Sequence, residues 1–403
     1  MAEPVLRNLR LWGQGAPVDL HLADGRIAAI GPASRGTGED FGARAVFPGF
    51  VESHCHLDKT LSLGLGGAGL ENRSGTLLEA IELWRGSKAT RPKEDFKARA
   101  RAGIRQAIAQ GTTALRSHLD MDLAKGLEVL EVMLELRAEF RGKIDLEFVA
   151  LGMPGTPEGD ALMREALEMG VDVVGGCPHI TPDPEACMRS ALDLAERYGK
   201  PVDLHMDEHE DPTHLDLEAL AEMVLARGLE GRVTSDHNCA LTFQPPQVQR
   251  RIIAKVARAG LHMISLPAVN LFLQGKGYPP ARGLMPIKAL REAGVNVALG
   301  SDNVRDPFQP MGNYDLLWQA NLAVHAANFA VPQERREALE MVTLAPARIL
   351  GLEGYGLEVG ARADLVIVDA PTDEEALSRM PPRLRVYKAG QPVYREEVVR
   401  RWT

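Results

Sequence analysis

The chain has 403 residues, 45% of them hydrophobic and 25% charged, a soluble balance long enough for a large core, and disorder is excluded. Its formal net charge of −9 carries no Lys/Arg block, which argues against nucleic acid or an anionic membrane as partner and favours small-molecule chemistry. No segment reaches membrane-spanning length, and the start, MAEPVLRNLRLWG, lacks a secretory apolar region, so a cytoplasmic location is expected.

Residues 1–48 read as short strands with turns, Asp24-Gly25 sitting at a hairpin. This is too little chain for its own core. A similar pattern returns over 355–403 in LEVGARADLVIVDAP and RLRVYKAGQPVYREEVVRRW, so the two ends are expected to pair into one composite β domain, with residues 49–354 as the catalytic domain. Between them, eight apolar strands are expected at 47–53, 112–118, 144–151, 171–176, 202–205, 233–236, 262–266 and 295–300. Amphipathic helices such as EDFKARARAGIRQAIAQG separate them. Eight such units spell an α/β fold of the (β/α)8 barrel type, and no phosphate-binding Gly fingerprint follows the first strand to suggest an open doubly wound sheet. Cys55, Cys177, Cys187 and Cys239 form no CxxC pair and read as small buried side chains.

In such a barrel the chemistry sits at the C-terminal ends of the strands. Of eleven histidines, His54 and His56 end the first strand, His118 the second, His205 the fifth and His237 the sixth, while His179 follows the fourth. Alternation along a strand turns His54 and His56 to one face. With His205 and Asp302, at the end of the eighth strand, they compose a His3Asp set suited to one divalent cation, zinc, iron and manganese alike, with room for a water. Such a cation lowers the pKa of its water from 15.7 to about 7, so metal-bound hydroxide is the expected nucleophile. Asp302 would take its proton, His237 would polarise or relay it, and Glu208, just past His205, would protonate a ring nitrogen and then the leaving amine. The expected fourth strand holds neither Lys nor Glu to bridge a second metal. His209 and His214 mimic a metalloprotease helix but stand at i, i+5 with Pro212 between them. They, His21, His262 and His325 read as ordinary surface or core residues.

Taken together, PGFVESHCHLDKT, LHMDEHED, SDH and GSDNVRDPFQPMG resemble the amidohydrolase superfamily and, within it, the bacterial cytosine deaminase group. SGTLLEAIELW, VVGGCPH and LPAVNLFLQG are similar to further segments of that group. The resemblance implies hydrolytic deamination of an amino-substituted nitrogen heterocycle by one Zn(II) or Fe(II), with His54, His56, His205 and Asp302 as ligands and Glu208 and His237 catalytic. It also marks His179, Asn270, Met153, Asn303 and Phe308 as substrate contacts. Three of these depart from the cytosine pattern: Asn303 replaces a second Asp, Met153 a Gln and Phe308 a Trp, so a ring with a different donor and acceptor edge is expected. The SDNxRD stretch from Ser301 is similar to enzymes that strip amino or alkylamino groups from triazines. Pyrimidine, triazine, pterin and creatinine-like rings stay open, as do alkylamine release, ring-opening hydrolysis of a cyclic amide, a non-catalytic barrel and a homo-oligomer.

Overall fold

The structure, a computed structural model, describes residues 4–64, 70–277 and 281–401. Residues 1–3 and 402–403 of the expected terminal β unit therefore lie outside the described residues. The N-terminal strands are β1 (Val5–Leu11), β2 (Val18–Ala23), β3 (Arg26–Pro32) and β4 (Glu39–Pro48). Asp24 and Gly25 link β2 to β3 with φ of 48° and 75°, the paired positive φ of a tight hairpin turn. The barrel strands are β5 (Phe50–Cys55), β6 (Thr112–Asp120), β7 (Asp145–Leu151), β8 (Val173–Gly176), β9 (Val202–Met206), β10 (Val233–His237), β11 (His262–Ser265) and β12 (Val297–Leu299). The chain ends with β13 (Leu365–Val368), β14 (Arg383–Lys388) and β15 (Gln391–Arg395).

Strands from the two ends join in one sheet of order β15-β14-β13-β4-β1-β2-β3. Its junction is the antiparallel pair β4 and β13, with Val46 opposite Ile367. Leu9, Leu20, Ile27, Val46, Leu365 and Ile367 form a core separate from that of the barrel. Neither end supplies enough apolar surface alone, and pairing them solves the shortage. No described helix is long and apolar enough to cross a membrane.

The eight central strands form a second sheet in sequence order, with parallel pairing throughout. Their near-continuous burial is what a parallel sheet covered by helices requires. Among those helices are α1 (Leu77–Thr90), α2 (Lys93–Ala109), α3 (Gly126–Glu139) and α4 (Pro157–Met169). Thr76 caps α1 by accepting from the Glu79 N–H, and Thr156 caps α4 by accepting from the Gly159 N–H with Pro157 in the first turn. The two ends of the central sheet meet where the Asp302 N–H donates to the His54 carbonyl at 2.8 Å and Ser53 Oγ donates to the Leu299 carbonyl at 3.1 Å.

Two strand expectations shift. The run expected as 47–53 is divided, because residues 47–48 still pair in the terminal sheet and the barrel strand begins at Phe50. The last strand is short, since Gly300 passes so close to His54 that a Cβ on it would lie 2.7 Å from the His54 carbonyl oxygen. At the division, Gly49 donates to the Asp364 carbonyl at 2.8 Å, and a Cβ there would lie 2.2 Å from Thr113 Cγ2. Thr113 is β-branched and buried, so it has little freedom to yield. Gly49→Ala is accordingly expected to destabilise the protein by about 1–3 kcal/mol, read as a lower midpoint in thermal or urea unfolding.

Candidate active site

The strand ends bring most of the singled-out histidines to one point. His54, near the end of β5, stacks on His118 from β6 with ring centroids 3.9 Å apart, and its centroid lies 4.6 Å from that of His205 on β9. His56 follows β5, with Nε2 3.2 Å from Asp302 Oδ1 and 3.3 Å from His205 Nε2. His54 Nε2 lies 3.5 Å from the same Asp302 oxygen. All five side chains are buried. Asp302, His237 and Asp207 hold φ of 57°, 62° and 50°, backbone that costs a non-glycine residue about 1–3 kcal/mol and that clusters at functional sites.

These groups fit a divalent cation. Both Asp302 carboxylate oxygens and His54 Nε2 are buried without a hydrogen-bond partner, although nitrogen lone pairs crowd around them. Burial keeps His205 and His237 well below the ordinary imidazole range and also lowers His56, so all three are neutral donors. Against the upward pull of burial, His54 and His56 hold Asp302 well below the carboxylate range. His54 alone rises, to about 10, because Asp236 and Asp302 outweigh its burial. Two buried carboxylates around one imidazole call for positive charge at this point, which a metal ion supplies.

Two donor groups have atoms mutually within 4.8 Å: His54, His118, His205 and Asp236, and His54, His237 and Asp302. In the first, Asp236 Oδ2 already takes His54 Nδ1 at 2.8 Å, and His118 Nε2 lies 3.5 Å from the same oxygen. Asp236 thus fixes the orientation of His54 and leaves its Nε2 free for the point shared with Asp302. His56 and His205 reach that point through the short separations given above. His54, His56, His205 and Asp302 are therefore four side chains that could share one ion.

Around this point opens a cavity of about 390 Å³ whose wall includes His56, His205, Glu208, His237, Asp302 and Asn303. Glu208 Oε1 is buried, without a hydrogen bond, and 3.4 Å from His237 Nδ1. Burial, then the nearby Asp302, pushes its carboxyl well above the usual range, toward the protonated form. Met153, His179 and Phe308 line the same cavity, and the His179 ring bonds through Nδ1 to the His205 carbonyl at 3.1 Å. Asn270, expected against substrate, instead bonds His237 Nδ1 through its amide nitrogen at 3.1 Å and is not among the cavity-lining residues. With that amide as donor, His237 carries its proton on Nε2, which lies 4.0 Å from Asp302 Oδ2. Residues 207–216 contain no helix, so His209 and His214 do not share a helical face.

The amidohydrolase family profile matches residues 71–394, four fifths of the chain. The chain belongs to the amidohydrolase family. His54 and His56 precede the matched stretch, but whole-length relatives span them. A pterin deaminase from Rhizobium rhizogenes is 34% identical over 396 residues, covering 94% of this chain and 89% of the relative. A solved 5-methylcytosine deaminase from Klebsiella pneumoniae, liganded with 5-fluorocytosine, superposes with a TM-score of 0.92 at 34% identity over 99% of each chain. The N-isopropylammelide isopropylaminohydrolase of Burkholderia multivorans gives 0.85 at 32% identity, over 98% of this chain and 99% of the other.

Several residues of this amidohydrolase went unassigned in the sequence although they stand inside its motifs. Asp236 precedes His237 in SDH, and Lys59 closes HCHLDK. Lys59 is buried against the cavity, donates to Asp120 Oδ1 at 2.9 Å and lies 5.1 Å from the Phe308 ring centroid. Glu52 Oε1 accepts from the Ser301 N–H at 2.9 Å and the His54 N–H at 3.2 Å, tying the first strand to the segment after the last. Their positions beside the assigned histidines were the available signal. All four cysteines are free, and all except the half-buried Cys177 are buried.

Removing the carboxylate that orients His54 provides a test. Asp236→Ala is expected to lower divalent-metal affinity by about 10–100-fold, measured by equilibrium dialysis against buffered metal, with a melting curve to verify that the variant remains folded.

Proposed function

We propose that this amidohydrolase removes an exocyclic amino group from an amino-oxo nitrogen heterocycle by hydrolysis, releasing ammonia. The observation that carries the reading is Glu208, a buried, unpartnered carboxyl facing the same cavity as Asp302 and the imidazole cluster. Displacing an amine needs a group that delivers protons on the substrate side, and a neutral buried acid is suited to that task. His54, His56, His205 and Asp302 would hold one divalent ion, Zn(II) or Fe(II). Bound there, the ion supplies the Lewis acidity that makes water a competent nucleophile near neutral pH.

The protein's own groups then divide the proton transfers. Asp302 takes a proton from the attacking water while Glu208 gives one to the ring nitrogen beside the amino-bearing carbon. The water oxygen bonds to that carbon, which becomes tetrahedral. His237, held by Asn270 with its proton on Nε2, stabilises the oxygen through that N–H. Glu208, now a carboxylate, takes the proton of the new hydroxyl and passes it to the departing nitrogen; the C–N bond breaks as the carbonyl forms, ammonia leaves, and the proton on Asp302 returns to Glu208.

The ring edge is read from two fixed groups. Asn303 Nδ2 is committed to Asp306 Oδ2 at 2.6 Å, leaving its carbonyl oxygen as an acceptor, while Lys59 has N–H groups beyond the one given to Asp120. An acceptor and a cationic donor suit a ring edge that pairs an N–H with a carbonyl oxygen. Oxo-pyrimidine, pterin and ammelide-type rings all have one. Met153 adds no hydrogen bond from its side chain, which favours rings other than cytosine. A second reading, release of an alkylamine, is favoured by the likeness to the N-isopropylammelide hydrolase and by the SDNxRD stretch.

A panel of amino- and alkylamino-substituted heterocycles tests the assignment with metal-loaded enzyme. Ammonia release is expected from an amino-oxo ring, lost on chelation and restored by Zn(II) or Fe(II). Glu208→Gln is expected to lower kcat by about 10²–10⁴-fold with bound metal unchanged. Full activity in that variant would remove Glu208 from the chemistry.

A further inference from the structure

We infer that the substrate's ring carries an apolar substituent on the side remote from the departing amine, housed in an outer chamber of the same cavity. The inference rests on the deaminase reading above and adds the substituent. Its first support is size. The cavity volume of about 390 Å³ falls within the range of about 300–1,000 Å³ for sites that bury drug-sized ligands, more than a lone small ring requires.

The second support is the distribution of chemistry along the wall. Groups beneath β9, β10 and β12 are polar and hold the reacting centre. Over β5, β6 and β7 aliphatic side chains gather in the wall, Leu77 and Ile81 from α1, Leu123 from the loop after β6 and Leu162 from α4, with the exposed Arg85 and Glu158 lining the same region. Leu123 lines this part of the cavity while 80% exposed, so an apolar group bound there would cover it.

The third support is that buried polar groups between the two zones are already satisfied. Trp84 Nε1 donates to Asp120 Oδ2 at 2.9 Å, and Lys88 Nζ donates to the Asp120 carbonyl at 2.7 Å and pairs with Asp122. These buried groups ask the substrate for no hydrogen bond, and a polar arm laid against them would lose water without replacing it. Because Glu208 and His237 protonate and release the amine on the β9 and β10 side, the opposite edge of the ring points toward α1 and α4. A non-polar arm on that edge gains contact area from those side chains.

The test uses metal-loaded enzyme and amino-oxo rings bearing hydrogen, methyl, propyl or pentyl at the ring atom farthest from the amino group. Steady-state ammonia release should show kcat/KM rising about fourfold per methylene until the chamber is full. The double variant Ile81→Ser, Leu162→Ser should flatten this dependence. Leu123→Ser, at an exposed position that cannot unfold the core, should reduce it. A flat or falling series in the wild-type enzyme, or an unchanged slope in all variants, overturns the inference. If the unsubstituted ring is hydrolysed but the series is flat, the substituent fails and the deaminase reading stands. If no ring releases ammonia, both fail.

Discussion

The hydrogen bond from the Asp302 N–H to the His54 carbonyl joins the two ends of an eight-stranded sheet and, by doing so, sets a carboxylate from the end of the chain's barrel beside imidazoles from its beginning. The chain spans almost 250 residues between these two positions. Glu52 reinforces the junction by accepting from both the His54 and Ser301 N–H groups. Barrel closure and construction of the candidate metal site are therefore the same event. A change that loosens the junction should disturb stability and donor geometry together.

Below this junction, buried charge does positioning work. Arg116 reaches Glu147 and Asp203, Asp203 lies 3.4 Å from His118, and His118 packs between Asp203 and Asp236 while stacking on His54. A buried charge without partners would be expensive, so these side chains hold one another in place. Left-handed backbone at Asp302 and His237 is maintained inside the same frame. The imidazole nitrogens thereby meet the cavity with little rotamer freedom left to lose, the pre-organisation that hydrolysis at a fixed centre would use.

Function divides along the barrel's mouth. On the β9, β10 and β12 side stand Glu208, His237 and Asp302, the groups proposed to handle protons. On the same proposal Lys59 and Asn303 would read the ring, and the apolar residues of α1 and α4 would face what extends beyond it. On that reading the chemistry and the substrate preference would reside in different wall segments, in keeping with relatives that share the fold but act on different heterocycles.

Alternating apolar runs and helices were legible because strand and helix periodicity are local properties, and the HxH, LHMDEHED and GSDN stretches announced their chemistry because metal donors at strand ends are a rare composition. His54, His56, His205, His237, Glu208 and Asp302 could all be singled out in this way. Asp236 and Lys59 could not, since an acid before a histidine or a lysine after an acid has no meaning until the ring nitrogen or cavity it faces is known. Asn270 shows the same limit from the other side: the family likeness marked it as a substrate contact, and in the fold its amide nitrogen bonds His237. The division at Gly49 was also hidden, because continuous hydrophobicity does not reveal where one sheet hands the chain to another. Sequence alone determined the units and the donor inventory; only tertiary structure decided which atoms face one another, because distances across a barrel arise from closure between segments far apart in the chain.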